Sequence, residues 1–115
     1  MDIKKFSTPE VFGPGIWFMI HNQGLRANTD LKKEQYEINM QLLCDDFRCN
    51  ECKTHFQKFI DSHPLIKYWK EENGFFRWSF ELHNSVNKRL GKYQPNFEEA
   101  LNYFSNSNIV CFNCH

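Results

Sequence analysis

Apolar residues recur along most of this chain at three- and four-residue spacing, and no segment shows the two-residue alternation of a strand. Near the amino terminus, Thr8 reads as an N-cap with Pro9 at the first helical position. Gly13-Pro14-Gly15 is expected to interrupt that helix, and a second start at Pro14 leads into Ile16-Trp17-Phe18-Met19-Ile20-His21. Gly24 is expected to loosen or end it, and Asn28-Thr29-Asp30 to turn the chain and cap the next helix. From Leu31 to about Phe47, Tyr36, Met40, Leu43 and Phe47 form one apolar stripe, with Lys32, Lys33, Glu34 and Glu37 on the wet side.

A third helix follows Cys49, patterned by Phe56, Phe59 and Ile60 and stopped by Ser62-His63-Pro64. The connection to Gly74 has room for a helical turn around Tyr68 and Trp69. The strongest pattern runs from Phe75 to Leu90, with Phe75, Leu82, Val86 and Leu90 along one stripe and Gly91 where a left-handed C-cap would sit. Phe97, Ala100, Leu101 and Phe104 define a short helix after Pro95-Asn96. The expected fold is all-α: a four-helix bundle with a short fifth helix, occupying residues 1–104. Residues 105–115 read as a flexible polar tail carrying Cys111-Phe112-Asn113-Cys114.

The 115 residues suit one domain, and 14 basic against 14 acidic side chains leave no field to favour nucleic acid or an anionic membrane. Neither a secretory signal nor an apolar run of membrane-spanning length is present, so a soluble protein made in the cytosol is expected. In that compartment five cysteines point to metal binding or catalysis rather than a structural disulfide framework. Twelve Phe, three Trp and four Tyr suit an aromatic core, or one that also wraps a flat ligand.

Cys49-Asn50-Glu51-Cys52 is the stretch around which the chemistry gathers. The pattern places Cys49 near the first turn of a helix and Cys52 just inside it. There, unpaired backbone N–H groups and the helix dipole stabilise a thiolate. Spacing alone leaves redox chemistry, metal binding and an inert pair open. With Cys111 and Cys114 the pair would complete a four-thiolate zinc site, although the separation is much longer than in compact zinc ribbons. A flavin-free thiol–disulfide exchange protein is a third reading, but the chain lacks the βαβ pattern of a thioredoxin-like domain. Cys44, outside either pair, reads as a small buried hydrophobe.

Two further sets bear on ligand binding. His83, Asn84 and Asn87 are poor choices for the middle of a helix if helix formation were the only demand. They form either a solvated face or contacts to a polar ligand such as a nucleotide. Trp17 and His21, one turn apart, are either core residues or a clamp for a planar ring.

Gly13-Pro14-Gly15-Ile16-Trp17-Phe18-Met19-Ile20-His21, then Cys49-Asn50-Glu51-Cys52-Lys53-Thr54-His55-Phe56, then His83-Asn84-Ser85-Val86-Asn87-Lys88-Arg89-Leu90-Gly91-Lys92, in this order, resemble the Erv/ALR family of FAD-linked sulfhydryl oxidases. The resemblance covers residues 10–104, and the chain's compactness and tail pair look like the members found in large cytoplasmic DNA viruses. It implies a homodimeric bundle holding FAD, with Cys52 beside the flavin, Cys49 as interchange cysteine, and Cys111 and Cys114 as shuttle disulfide. The cofactor site it implies comprises Gly13, Trp17, His21, His55, Phe80, His83, Asn84, Val86, Asn87, Lys88, Leu90, Lys92, Tyr103 and Phe104, with no metal. Lys88, Arg89 and Lys92 are expected near the phosphates. Electrons would pass from a protein dithiol, such as a CxxC-containing relay protein, through the tail pair to Cys49 and Cys52. From there they would go to FAD and to molecular oxygen, giving hydrogen peroxide. The viral likeness places this work in the host cytoplasm and at virus assembly sites. Many relatives link the fourth helix to the fifth by a disulfide. Phe80 and Phe97 fall near those positions here, so aromatic packing would have to hold the fifth helix.

Overall fold

Each helix start carries its own local cause. Thr29 caps α2 (Asp30–Asp45) by accepting a hydrogen bond from the Lys32 backbone N–H. Cys49 does the same for α3 (Asn50–Ser62) through its sulfur. Asn96 caps α5 (Phe97–Ser105), accepting from the Glu99 N–H while its own amide donates to the Glu99 carboxylate. α4 (Gly74–Arg89) follows Asn73, whose φ of 55° is left-handed. α1 (Pro9–Arg26) opens the described chain, and a short 3-10 helix at Leu65–Tyr68 fills the connection before α4. The computed structural model describes residues 9–106, with side chains from Gly13 onward. The expected Thr8 cap and the tail pair Cys111 and Cys114 lie outside those residues.

The all-α expectation holds among the described residues: five α-helices and no strand. α4 is the central element. Phe75, Phe76, Trp78, Ser79 and Leu82 on it are almost wholly removed from solvent, and its most extensive contacts are with α1. Trp78 donates from its indole nitrogen to the His63 carbonyl at 2.7 Å, and Tyr36 ties α2 to α1 by donating to the Ile20 carbonyl at 2.9 Å. Such buried donors cost stability when left unmade, so these contacts fix orientation as well as area. Cys44 is fully buried, as expected of a small hydrophobe.

Three expectations need correction. Gly13-Pro14-Gly15 does not interrupt α1, which runs unbroken through Pro14. Proline there removes one intrahelical donor near the helix start, and the packing of Ile16, Trp17 and Ile20 on the core offsets that loss. Gly24 does not end α1 either. A Cβ at Gly24 would stand 2.9 Å from the Phe75 carbonyl oxygen, so the glycine serves the close approach of α4. The third concerns the α4 stripe: Leu90 is exposed, while Phe76, Trp78, Ser79 and Asn87 are buried. Helix α4 has neighbours on several sides, so its buried face is wider than one stripe.

At Gly91 the chain leaves α4 as expected, with φ of 68°. The Lys92 N–H donates to the Asn87 carbonyl at 2.8 Å and the Gly91 N–H to the Lys88 carbonyl at 3.2 Å, the paired bonds of a Schellman motif. The expected aromatic hold on α5 is present too. Phe80 and Phe97 meet edge-to-face with centroids 5.5 Å apart, and Phe97 also carries the Arg77 guanidinium over its ring at 3.9 Å.

Candidate active site

The cysteine pair stands at the amino-terminal end of α3, where the helix leaves backbone N–H groups without intrahelical partners. Cys49 is exposed, Cys52 half-buried, and both are free thiols. The Cys52 N–H donates to Cys49 Sγ at 3.2 Å. The neighbouring Cys52 thiol first, and then this N–H contact, hold Cys49 below the usual thiol range. Cys52 behaves in the opposite way. Burial and the neighbouring Cys49 push it up, against the pull of the Arg89 guanidinium on α4. Thiolate stabilisation, by the Cys52 side chain and by the helix-start N–H groups, therefore falls on Cys49 in this dithiol state rather than on both cysteines.

Arg89 was grouped with the phosphate-facing cations on sequence grounds, but it sits at the cysteines. Its Nη1 lies 3.4 Å from Glu51 Oε1, within the Cys49–Cys52 loop. One turn earlier on α4, Ser85 Oγ is 3.1 Å from His55 Nε2, and burial followed by the Arg89 charge lowers the His55 pKa. Residues 85 and 89 thus form the α4 face that meets α3.

The other side of α4 lines a cleft of about 570 Å³, walled by Trp17, His21, Phe80, His83, Asn84, Tyr103 and Phe104 among others. That is the size and character of a ligand pocket: apolar rings with a few polar groups. Trp17 and His83 stack with centroids 3.8 Å apart and planes 4° from parallel. Trp17 and His21, the pair expected to clamp a ring, are 5.8 Å apart. An intervening ring would need roughly 7 Å, two contact distances. Trp17 therefore pairs with His83, and a planar ligand would lie against that stack rather than between Trp17 and His21. Phe104 closes the cluster, its ring 5.0 Å from His21 and 5.7 Å from Phe76.

Burial and the Lys92 charge lower His83 to about 4, while burial and His83 lower His21 to about 3. Both imidazoles are neutral at physiological pH. Lys92 is off the helical row beyond Gly91, yet the turn keeps its charge close enough to act on His83. Asn87 is buried and donates to Asn84 Oδ1 at 3.1 Å, and Asn84 donates to the Pro95 carbonyl at 3.0 Å. These amides brace the turn between α4 and α5.

Seven of the fourteen expected cofactor residues meet in the cleft, while Gly13, His55, Val86, Asn87, Lys88, Leu90 and Lys92 are not part of its lining. Of these, Lys88, Leu90 and Lys92 are exposed. Sequence reading gave no site role to Pro14, Phe18 and Glu99, which also line the cleft. It likewise missed Ser79, whose hydroxyl is 2.8 Å from His21 Nδ1. Ser79 lies four residues before His83, a helical spacing that was the only available signal.

Comparison with known proteins matches residues 14–107 to the model of the Erv1/Alr family. The chain belongs to the Erv1/Alr family. Among similar proteins is the FAD-linked sulfhydryl oxidase of African swine fever virus, 30% identical over 84% of this chain and 82% of that protein. The FAD-linked sulfhydryl oxidase ERV1 of Arabidopsis thaliana is 32% identical over 74% of this chain, and the mitochondrial FAD-linked sulfhydryl oxidase ERV1 of Saccharomyces cerevisiae is 30% identical over 83%. The chain covers only 45% of the plant protein and 51% of the yeast one. The Erv1/Alr match spans both cysteines of the α3 pair and every residue of the cleft.

Proposed function

We propose that this Erv1/Alr protein is a FAD-dependent thiol oxidase that forms disulfides in protein dithiols at the expense of molecular oxygen. The observation that carries the reading is the placing of an N-capped cysteine pair on one side of α4 and a ring-lined cleft on the other. Family membership favours this redox reading of the pair over the zinc alternative. The cleft fits a flat heteroaromatic group. Trp17, His83 and Phe104 offer ring faces, Asn84 offers an amide, and Lys92 brings a cation close to His83. Trp17, His21, Phe80, His83, Asn84, Tyr103 and Phe104 would hold FAD there, with Gly13, His55, Val86, Asn87, Lys88, Leu90 and Lys92 as further contacts.

Turnover begins on the oxidised Cys49–Cys52 pair. A thiolate from the reduced Cys111/Cys114 shuttle attacks Cys49 Sγ, the exposed sulfur, forming a mixed disulfide. The Cys49–Cys52 bond breaks, and its electron pair leaves on Cys52 Sγ as a thiolate that the Arg89 guanidinium stabilises. The second shuttle thiolate then attacks the shuttle sulfur of the mixed disulfide. Cys49 leaves as a thiolate, stabilised by the Cys52 N–H, and the shuttle is oxidised. The shuttle is reduced again by a protein dithiol, which departs with a disulfide. FAD, when bound, supplies the two-electron acceptor for the Cys49–Cys52 dithiol, reoxidised by oxygen to give hydrogen peroxide.

The apolar groove between α1 and α2, lined by Met19 and Leu42, supports a homodimer, and both side chains are about half-exposed. The viral relatives support action in the host cytoplasm and at virus assembly sites. A CxxC-containing relay protein is the proposed electron donor.

The test is the visible spectrum of the purified protein. A flavin spectrum that bleaches with dithiothreitol in the absence of air and returns with oxygen is expected. Cys52→Ser should keep the fold and the bound flavin while oxygen uptake falls to background. A colourless protein that takes up no FAD would overturn the proposal.

A further inference from the structure

The ring cluster contains a chain of hydrogen bonds with a single consistent proton order. Ser79 is fully buried. Its Oγ lies 2.6 Å from the Phe76 carbonyl oxygen and 2.8 Å from His21 Nδ1. His21 Nε2 in turn lies 2.8 Å from His83 Nδ1. A hydroxyl carries one proton and a carbonyl oxygen can only accept, so the Ser79 proton lies toward Phe76. Ser79 then accepts from His21, which places a proton on His21 Nδ1. A neutral imidazole carries a proton on one nitrogen only, so His21 Nε2 is bare and accepts from His83 Nδ1–H. His83 Nε2 is bare in consequence. It lies on the ring edge away from His21, in a residue that lines the cleft.

We propose that Ser79 is a positioning residue that sets the tautomers of His21 and His83, so that His83 offers the cleft a lone pair at Nε2 and receives there an N–H or O–H donor of the ligand. The ligand half of this inference rests on the cleft being the cofactor's site; the tautomer half does not. The neutral state it requires is supported by burial of both rings and by Lys92, whose charge opposes a proton on His83. Glu99, which also lines the cleft, is the acidic side chain on the opposite wall. Replacing Ser79 by alanine leaves His21 Nδ1–H without its acceptor. Reversing the order removes that buried unpaired donor: His21 then donates from Nε2 to His83 Nδ1, its Nδ1 is left as a bare lone pair, and His83 Nε2 gains the proton. A ligand donor at that position would then face another donor.

The experiment is imidazole nitrogen NMR on the full chain labelled with ¹⁵N-histidine and freed of flavin, alongside FAD titration by fluorescence. Wild type should show His21 and His83 both protonated at Nδ1; a proton on His83 Nε2 would overturn the proposal without need of any variant. Ser79→Ala should move the His83 proton to Nε2 and weaken FAD binding roughly tenfold or more, the scale of one buried hydrogen bond turned unfavourable. Ser79→Thr, which keeps the hydroxyl, should restore the wild-type tautomers. A Ser79→Ala protein with unchanged tautomers and unchanged FAD affinity would remove Ser79 from this role. Wild type that binds no FAD would overturn the ligand half and the cofactor reading together, with the tautomers still judged by the spectrum.

Discussion

Cys49 and Cys52 are three residues apart in sequence, yet their surroundings drive their acidities in opposite directions. The Cys52 thiol and the helix-start N–H stabilise the Cys49 thiolate, whereas burial and Cys49 itself work against the Cys52 thiolate. That division suits their proposed roles, since Cys52 needs to become a thiolate only once Cys49 is engaged with another sulfur. The pair and its helix-start position were readable from spacing. Arg89 as the partner of Cys52 was not, because it depends on how α4 crosses α3. The buried histidines give a pH prediction at the same scale. Both are depressed below the ordinary 6.5, so the unfolded chain binds protons that the folded chain refuses. Stability from this source is complete above about pH 6.5 and is lost as pH falls toward 4, by up to a few kcal/mol. Thermal melts of the flavin-free protein between pH 7.5 and about 4.5 should show the melting temperature falling with pH, with the loss reduced in His21→Phe.

Helix α4 has different residues on each of its faces. Phe75, Trp78 and Leu82 enter the core, Ser85 and Arg89 meet α3, and His83 and Asn84 line the cleft. Its helical nature was clear from the sequence because its apolar residues recur at helical spacing and Gly91 marks its end. Which neighbour each face meets was not, because that depends on packing angles between distant segments. Gly24 is the sharpest case. Read locally it is a helix breaker; in the fold it leaves room for the Phe75 carbonyl of α4 beside α1. Gly24→Ala should gain about 1 kcal/mol of helix propensity and lose roughly 1–3 kcal/mol from overpacking against the Phe75 backbone. A net fall in the midpoint of a denaturant melt is expected, whereas a rise would mean that the two helices can part without cost. Helix α5, held by Phe80, Phe97 and Phe104 with no fully buried residue of its own, is the element most dependent on aromatic contacts.

On the scale of the whole molecule, the proposed relay needs more than the described bundle. In the homodimer reading, Leu42→Glu should place a charge on the α1–α2 face and shift sedimentation toward the monomer, while the fold survives because Leu42 is 54% exposed. A protein that sediments as a monomer before mutation would exclude the dimer. For the tail, Cys111→Ser should slow oxidation of protein dithiols several-fold and spare dithiothreitol, as read by oxygen uptake; equal rates on protein dithiols would remove the shuttle role. The sequence by itself determined the all-α class, the order of helices, the capping turn at Asn28-Thr29-Asp30, the C-cap at Gly91, and the cysteine pair at a helix start. All of these follow from local periodicity and from residues acting within a turn of themselves. Only the tertiary structure decided that Trp17 stacks on His83, that Arg89 reaches Cys52, and that Ser79 orders the protons of His21 and His83. Those contacts join residues between 37 and 66 positions apart or hang on such a contact, and their geometry is set by how whole helices pack.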